Sequence, residues 1–142
     1  MTQIARSALV RRPASHMFDL VNEVEAYPQR FSWCEGARIL ERSETEMLAR
    51  LELKLGGLRT AFTTRNRMLR PQSIELQLVE GPFTRLSGAW LFSHLAEDAC
   101  KVALNLNFET AGRLVGSALA IGFQSLADRM VDDFVREAQR HD

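Results

Sequence analysis

The sequence predicts an α+β fold in which a curved antiparallel sheet wraps around one long C-terminal helix. Residues from Ala37 to Glu109 alternate between apolar and polar side chains, with only turns between successive segments, which is typical of antiparallel strands. After Ala111 the apolar period lengthens to about 3.6 residues, the period of an α-helix. Because the chain has 142 residues, a typical length for one domain, we expect a single domain over residues 1–142.

Turn residues separate the predicted strands. In Glu46–Leu55 the odd positions are apolar and the even positions are mostly charged, which predicts one buried face and one wet face. Gly56 and Gly57 follow directly, and two glycines favour a tight hairpin because both accept positive φ. Gly88 interrupts a later strand that contains Trp90, which indicates a bulge or a close approach of two backbones.

The N-terminal third is organised differently. Gln3–Val10 is expected to form a first strand, and Pro13 suits the first turn of a short helix over the residues that follow. A second short helical turn is expected at Tyr27 and Pro28, before the series of about six strands begins near Arg38. The predicted order is therefore a strand, short helices, the strand series and the long helix.

The predicted C-terminal helix has two unlike halves. Between Leu114 and Phe123 it has no charged residue, and glycines at 112, 116 and 122 lower its helix propensity by about 1 kcal/mol each. Two interpretations stay open. The glycines pack tightly against the sheet, or the segment is a mobile apolar lid that touches a membrane surface, a ligand tail or another subunit. Membrane contact would be made through Leu114, Leu119 and Ile121. Residues at the helical period form one apolar stripe: Val115, Leu119, Phe123, Leu126, Met130 and Phe134.

A hollow is expected between sheet and helix, because a tightly curled sheet leaves space that one helix does not fill. Such a hollow suits an apolar small molecule, although aliphatic walls do not specify which one. Trp90 is expected to be largely buried beside the helix. The expected ligand-binding positions share the inner face of successive strands or the helix stripe: Leu51, Leu53, Phe62, Leu76, Leu78, Trp90, Phe92, Leu104, Leu106, Leu119, Phe123 and Met130.

Composition and terminal sequence exclude several classes of function. The formal net charge is zero, which gives no support for binding a polyanion over the whole surface. No apolar run reaches the roughly 18 residues of a membrane span, and the first residues lack the apolar segment of a secretory signal. Cys34 and Cys100 lack metal-ligand spacing, and one disulfide between them stays open. We expect a cytoplasmic protein, with peripheral contact at the inner membrane as the alternative.

Catalytic motifs are not evident. The three histidines fall at positions typical of solvated surface groups, and neither a Ser-His-Asp order nor a glycine-rich phosphate loop occurs. Thr64, Asn66 and Tyr27 are the polar side chains that are candidates to face the hollow. We therefore expect a non-catalytic protein with no metal and no required cofactor.

One predicted strand carries several arginines. Arg59, Arg65 and Arg67 share one parity and therefore the outer face of that strand. Phosphate contacts with a ribosome require such clustered cations. A ribosome-binding patch and an ordinary solvated strand face both stay open, and the neutral net charge favours the latter.

Seven short motifs occur in order along the chain: Ala8–Val10, Met17–Asn22, Tyr27–Pro28, Trp33–Cys34, Phe62–Asn66, Leu78–Phe83 and Gly88–Phe92. Together, over about residues 3–140, they resemble the START-like coenzyme Q-binding and ribosome association toxin RatA family, within the polyketide cyclase/dehydrase and lipid transport superfamily. The family commonly has Pro two residues before the Cys, where this chain has Ser32, which implies a less rigid loop there.

The resemblance implies a helix-grip fold and two different functions. One is the non-catalytic binding of ubiquinone or a related polyprenyl lipid in support of respiratory quinone function. The other, associated with the RatA branch, is ribosome binding that blocks the joining of subunits. An aromatase or cyclase of the wider superfamily is a third alternative, and it would require a polar group in the hollow. Lipid binding is the interpretation that the sequence favours.

Overall fold

A computed structural model describes residues 2–111 and 114–140, with side chains omitted for residues 114–117. Seven strands and three α-helices cover most of these residues, and a short 3₁₀ turn at Val24–Ala26 lies between the first two helices. The elements in chain order are β1 (Thr2–Val10), α1 (Ala14–Asn22), α2 (Tyr27–Arg30), β2 (Cys34–Arg42), β3 (Glu46–Leu55), β4 (Leu58–Leu69), β5 (Ser73–Glu80), β6 (Phe83–Ala96), β7 (Ala99–Thr110) and α3 (Leu114–Gln139).

All seven strands form one antiparallel sheet in the order β1-β7-β6-β5-β4-β3-β2. Strands β2 to β7 are a continuous meander, and β1 closes the other edge by pairing with β7. Helix α3 packs against β1, β7, β3 and β4, so the curved sheet grips the helix from several sides. The predicted helix-grip architecture is confirmed.

The start of β2 corrects the sequence prediction. The strand begins at Cys34 rather than near Arg38, because Cys34 already pairs with Leu53 of β3. A register shift follows before Gly36 pairs with Glu52, and this irregularity hides the strand period in the sequence. Irregular edge strands are common where a sheet must bend.

The structure confirms the tight hairpin at Gly56 and the close approach of two backbones at Gly88. Gly56 has φ of 64° at the β3–β4 hairpin, as the tight turn requires. Gly88 marks a close approach, because a Cβ there would lie 2.1 Å from the carbonyl oxygen of Asn105. The irregularities in the β6–β7 ladder lie elsewhere, near Arg85 and Leu95.

The core lies between the inner face of the sheet and α3. Leu53 is buried while Glu52 is exposed, so the predicted register of β3 is correct. Trp90 is buried as expected, with its ring 5.2 Å from that of Phe134 on α3 in an edge-on arrangement. Such a pair contributes roughly 0.5–1.5 kcal/mol beyond its buried area.

Polar contacts from both edges of the sheet hold the C-terminal helix. The Trp33 indole nitrogen donates to Asp133 Oδ2 at 3.1 Å, next to the first residue of β2. From the opposite edge, Arg6 Nη2 lies 3.0 Å from Asp128 Oδ1. Because these two contacts come from the two ends of the sheet, they fix how α3 lies across it.

The described cysteines are both buried thiols. Cys34 and Cys100 are free and form no disulfide. Burial raises the pKa of the Cys34 thiol to about 11 and also raises that of Cys100. A thiol with a raised pKa is a poor nucleophile at neutral pH, so neither side chain is suited to covalent chemistry.

Candidate functional site

A cavity of about 70 Å³ lies between the inner face of the sheet and α3. Its wall is mostly aromatic and aliphatic, with contributions from the 3₁₀ turn, from α2, from β3 to β7, and from α3. The residues on this wall are Val24, Tyr27, Trp33, Ala49, Leu51, Leu53, Phe62, Thr64, Asn66, Leu76, Leu86, Trp90, Leu104, Leu106, Phe123 and Met130.

The cavity wall includes most of the positions that the sequence singled out. Nine of the twelve predicted ligand-binding residues lie on it, and ligand binding by them stays a prediction. The shared inward parity of successive strands brings these residues together, since one face of a sheet collects every second side chain. The nine are Leu51, Leu53, Phe62, Leu76, Trp90, Leu104, Leu106, Phe123 and Met130.

Three predicted positions lie away from the wall. Phe92 is buried, but its ring packs edge-on against Phe18 of α1 at 5.6 Å, one step along β6 from the cavity. Leu78 pairs with Thr64 directly next to the register shift between β4 and β5, and it is partly buried against the core. Leu119 is only 1% exposed and lies one helical turn before Phe123. All three side chains pack in or against the core and do not line the cavity.

Sequence reasoning missed four members of the wall: Val24, Trp33, Ala49 and Leu86. Ala49 and Leu86 share the inward parity of predicted neighbours, so the alternation offered a signal for them. Val24 lies in the 3₁₀ turn and Trp33 in the loop before β2. A loop has no periodicity, so nothing local in the sequence places these two side chains beside the cavity.

Three polar side chains on the wall already have partners. The Tyr27 hydroxyl donates to the carbonyl oxygen of Val21, and burial raises the pKa of this phenol. Trp33 donates to Asp133 on α3. The Thr64 hydroxyl donates to Asn66 Oδ1 at 2.7 Å.

Acid–base or metal chemistry finds little support at this site. Among the described residues of the wall, Tyr27 alone carries a titratable group, and its raised pKa keeps the phenol neutral. The described part of the chain has no cluster of His, Cys, Asp and Glu that suits a metal ion. The arrangement favours binding of an apolar molecule over catalysis.

The predicted lid divides between buried and exposed residues. Ile121 is 73% exposed, whereas Leu119 is fully buried and does not contact any surface outside the protein, which corrects its predicted role. The side chain of Leu114 lies outside the described residues. Gly122 packs closely, since a Cβ there would lie 3.0 Å from Leu55 Cβ. No helix among the described residues is long and apolar enough to span a membrane.

The arginines of β4 lie on the outer face as predicted, but among carboxylates. Arg59 Nε lies 3.3 Å from Glu35 Oε1. Arg65 Nη1 lies 3.7 Å from Glu41 Oε2 and 3.8 Å from Glu46 Oε1. Arg67 is opposite Glu46 on β3 and Glu75 on β5 in the strand register. The outer face therefore combines both signs of charge instead of forming a purely basic patch.

Comparison of the chain with models of protein families gives a match over most of its length. The description "Polyketide cyclase / dehydrase and lipid transport" matches residues 10–135 of this chain. The chain belongs to this family. The match includes every strand from β2 to β7 and most of α3.

Relatives and solved structures extend the comparison over the whole chain. The ribosome association toxin RatA of Pseudomonas aeruginosa is 46% identical over 139 residues, which cover 98% of this chain and 96% of the relative. The Zhui aromatase/cyclase from Streptomyces superposes with a TM-score of 0.83 at 21% identity, covering 98% of this chain and 94% of the enzyme. A START superfamily protein from Mycobacterium smegmatis gives 0.83 at 18% identity, covering 99% of both chains. At such low identity the two structures show the fold alone.

Proposed function

We propose that this protein associates with the ribosome and blocks the joining of its subunits. The observation that carries the proposal is the 46% identity to a protein named ribosome association toxin, over nearly the full length of both chains. The proposed action requires no chemistry from the cavity, in keeping with the poor case for catalysis there.

The outer face of β4 is the proposed contact with ribosomal RNA. Arg65 and Arg67 border an open groove whose wall includes the small residues Ser87, Gly88 and Ala89, so a phosphate backbone can approach the sheet closely. The guanidinium group suits this role, because its planar fork matches phosphate oxygens in pairs. The carboxylate partners do not prevent it, since exposed ion pairs contribute only about 0–1 kcal/mol and exchange readily.

Co-sedimentation with ribosomes in sucrose gradients tests this proposal. The parent protein is expected to sediment with ribosomal subunits at low salt, and replacing Arg59, Arg65 and Arg67 by Gln is expected to abolish this. Association should also fall steeply with salt, because phosphate contacts release counterions. Parent protein that stays at the top of the gradient at low ionic strength would refute the function.

A matched control separates the site from the loss of charge alone. Replacing Arg85, Lys101 and Arg129 by Gln removes the same number of charges from other elements. This control protein is expected to retain most of its co-sedimentation. Equal loss in both triple variants would mean that the contact is not at β4. Thermal unfolding of each variant checks that the fold is intact.

A second candidate function is the binding of an apolar small molecule, and the largely apolar cavity between the sheet and α3 favours it. The finer form of this proposal is ubiquinone or a related polyprenyl lipid. A cavity of about 70 Å³ is well below the roughly 300–1,000 Å³ of typical ligand pockets. A prenyl tail therefore requires the wall to open, and Met130 on α3 is suited to this because its unbranched side chain adapts its shape.

Native mass spectrometry of freshly purified protein tests this second function. A bound lipid is expected as a mass increase, and organic extraction followed by fragmentation identifies it. Leu104→Trp, which fills the cavity with a larger side chain, is the matched variant and should lose the extra mass. Protein that carries no lipid after expression in cells rich in quinone would contradict the lipid proposal and leave the ribosome proposal standing.

A further inference from the structure

Asn66 is a polar side chain in an apolar wall. It lies on β4, is 5% exposed, and faces Met47 and Leu76 across the neighbouring strands. An aliphatic residue of the same shape would fit such surroundings without burying an amide. Buried polar groups without partners cost roughly 1–3 kcal/mol each. The position is therefore one where stability alone does not explain the side chain.

The hydrogen bond from Thr64 sets the orientation of this amide. Because the Thr64 hydroxyl donates to Asn66 Oδ1 at 2.7 Å, the amide oxygen is occupied and the amide nitrogen carries the remaining capacity. None of the described hydrogen bonds uses Asn66 Nδ2.

The amide nitrogen of Asn66 is not fully enclosed. Among the described residues, the fully enclosed side-chain atoms that lack a partner are Asn22 Oδ1 and Arg30 Nη1, and Asn66 Nδ2 is not one of them. Asn66 contributes to the cavity wall and not to the open groove on the outer face of the sheet, so the cavity is the space next to its side chain. The NH₂ group is thus a donor presented to whatever occupies that space.

The other polar groups of the wall leave the cavity with donor capacity and no charge. Tyr27 donates its hydrogen to Val21, and Trp33 donates its hydrogen to Asp133. The Thr64 hydroxyl donates its hydrogen to Asn66. The described residues of the wall include no Lys, Arg or His to compensate an anion, and an uncompensated buried ion costs far more than a neutral group. Recognition therefore favours a neutral molecule, and Asn66 Nδ2 is the N–H donor left to pair with an acceptor oxygen of that molecule.

We propose that Asn66, oriented by Thr64, is a binding subsite for the carbonyl oxygen of a neutral, largely apolar ligand. The proposal rests on the second candidate function, the binding of a small molecule in the cavity. The ligand's apolar body packs against the rings of Phe62, Trp90 and Phe123 on the same wall. Its oxygen accepts a hydrogen from Asn66 Nδ2 and takes the place of water there.

Two probes of nearly identical shape test the subsite. Acetophenone and α-methylstyrene differ only in that a C=O group of the first is a C=CH₂ group in the second. Titration calorimetry is expected to show the ketone binding about tenfold more tightly than the alkene, because the alkene leaves the amide unpaired. The side-chain NH₂ resonances of Asn66 are expected to shift with acetophenone and to move much less with α-methylstyrene.

Variants sharpen the test. Asn66→Leu is expected to bind both probes equally, since it removes the donor and keeps a side chain that branches at the same atom. Thr64→Val keeps the amide but frees its orientation, so it should reduce the preference without abolishing it. If Asn66→Leu does not fold, the NH₂ resonances of the parent protein still decide the question.

The remaining outcomes test the Asn66 subsite separately from small-molecule binding in the cavity. Equal binding of both probes by the parent protein overturns the subsite and leaves cavity binding intact. Binding of neither probe overturns the subsite, and native mass spectrometry then decides separately whether the cavity binds a larger apolar molecule. A ketone preference that survives in a folded Asn66→Leu variant also overturns the subsite, because the donor would then lie elsewhere.

Discussion

The inner and outer faces of the same sheet differ in what their side chains do. On the inner face, Leu53 and Trp90 are packed against α3 or the cavity, and their contacts are made by shape. On the outer face, Arg59 is 74% exposed at its side chain and its partner Glu35 is 3.3 Å away in solvent. The difference teaches that inner substitutions should change stability, whereas outer substitutions should change association and leave stability nearly unaltered.

The largest difference in stability is expected between a buried and an exposed position of α3 that are two residues apart. Leu119→Lys places a charge in the core and is expected to lower the free energy of unfolding by about 4 kcal/mol or more. Ile121→Lys changes a residue that is mostly in solvent and should stay within about 0.5 kcal/mol. Urea denaturation measures both. Similar losses in the two variants would contradict the assignment of faces.

If α3 also contacts membranes, Ile121→Lys alone should reduce flotation with liposomes.

The next largest effect is expected on the inner face of β6. Trp90→Ala removes a buried indole and should lower the free energy of unfolding by about 3–5 kcal/mol. Trp90→Phe is the control and should lose less, because it keeps an aromatic ring near Phe134. Unfolding of Trp90→Ala at the same urea concentration as the parent would show that this side chain does not pack as described.

A smaller destabilisation is expected where two backbones meet. Gly88→Ala adds a Cβ 2.1 Å from the carbonyl oxygen of Asn105, so β6 and β7 must separate locally. Overpacking of this kind typically costs about 1–3 kcal/mol. Gly57→Ala is the control, because a Cβ there meets nothing within 4 Å. Thermal melts that rank the two variants in the opposite order would refute the close approach.

The smallest effect on stability is expected from the outer carboxylates. Replacing Glu35, Glu41 and Glu46 by Gln frees Arg59 and Arg65 from their ion pairs and should change the free energy of unfolding by about 1 kcal/mol or less. The same variant should co-sediment with ribosomes at higher salt than the parent, because three competing negative charges are gone. Weaker co-sedimentation would count against phosphate binding at this face.

Local patterns made much of the fold predictable. The alternation of Glu46–Leu55 identified the buried face of β3, and Gly56 identified the hairpin that follows it. The beginning of β2 was not predictable, because the register shift between Cys34 and Gly36 breaks the alternation that defines a strand. Periodicity reports a regular strand well and an irregular edge strand poorly.

The candidate site was predictable as a face and not as a cavity. Parity correctly placed Leu51, Phe62 and Leu104 on the inner side of the sheet. It did not distinguish them from Phe92 and Leu119, which share the inner side or the helix stripe but pack elsewhere in the core. Whether an inward residue lines a cavity depends on how far the opposite wall lies, which is not encoded in its own strand.

The sequence by itself determined the order of the elements, the inward side of regular strands such as β3 and the exposed position of the β4 arginines, because these follow from neighbours along the chain. The tertiary structure decided the cavity volume of about 70 Å³, the pairing of Arg59 with Glu35 and the contact between Trp33 and Asp133. It also decided that Asn66 lies on the cavity wall with its amide oxygen accepting a hydrogen bond from Thr64. These features depend on distances between elements far apart in the chain, and only the packing of sheet on helix sets those distances.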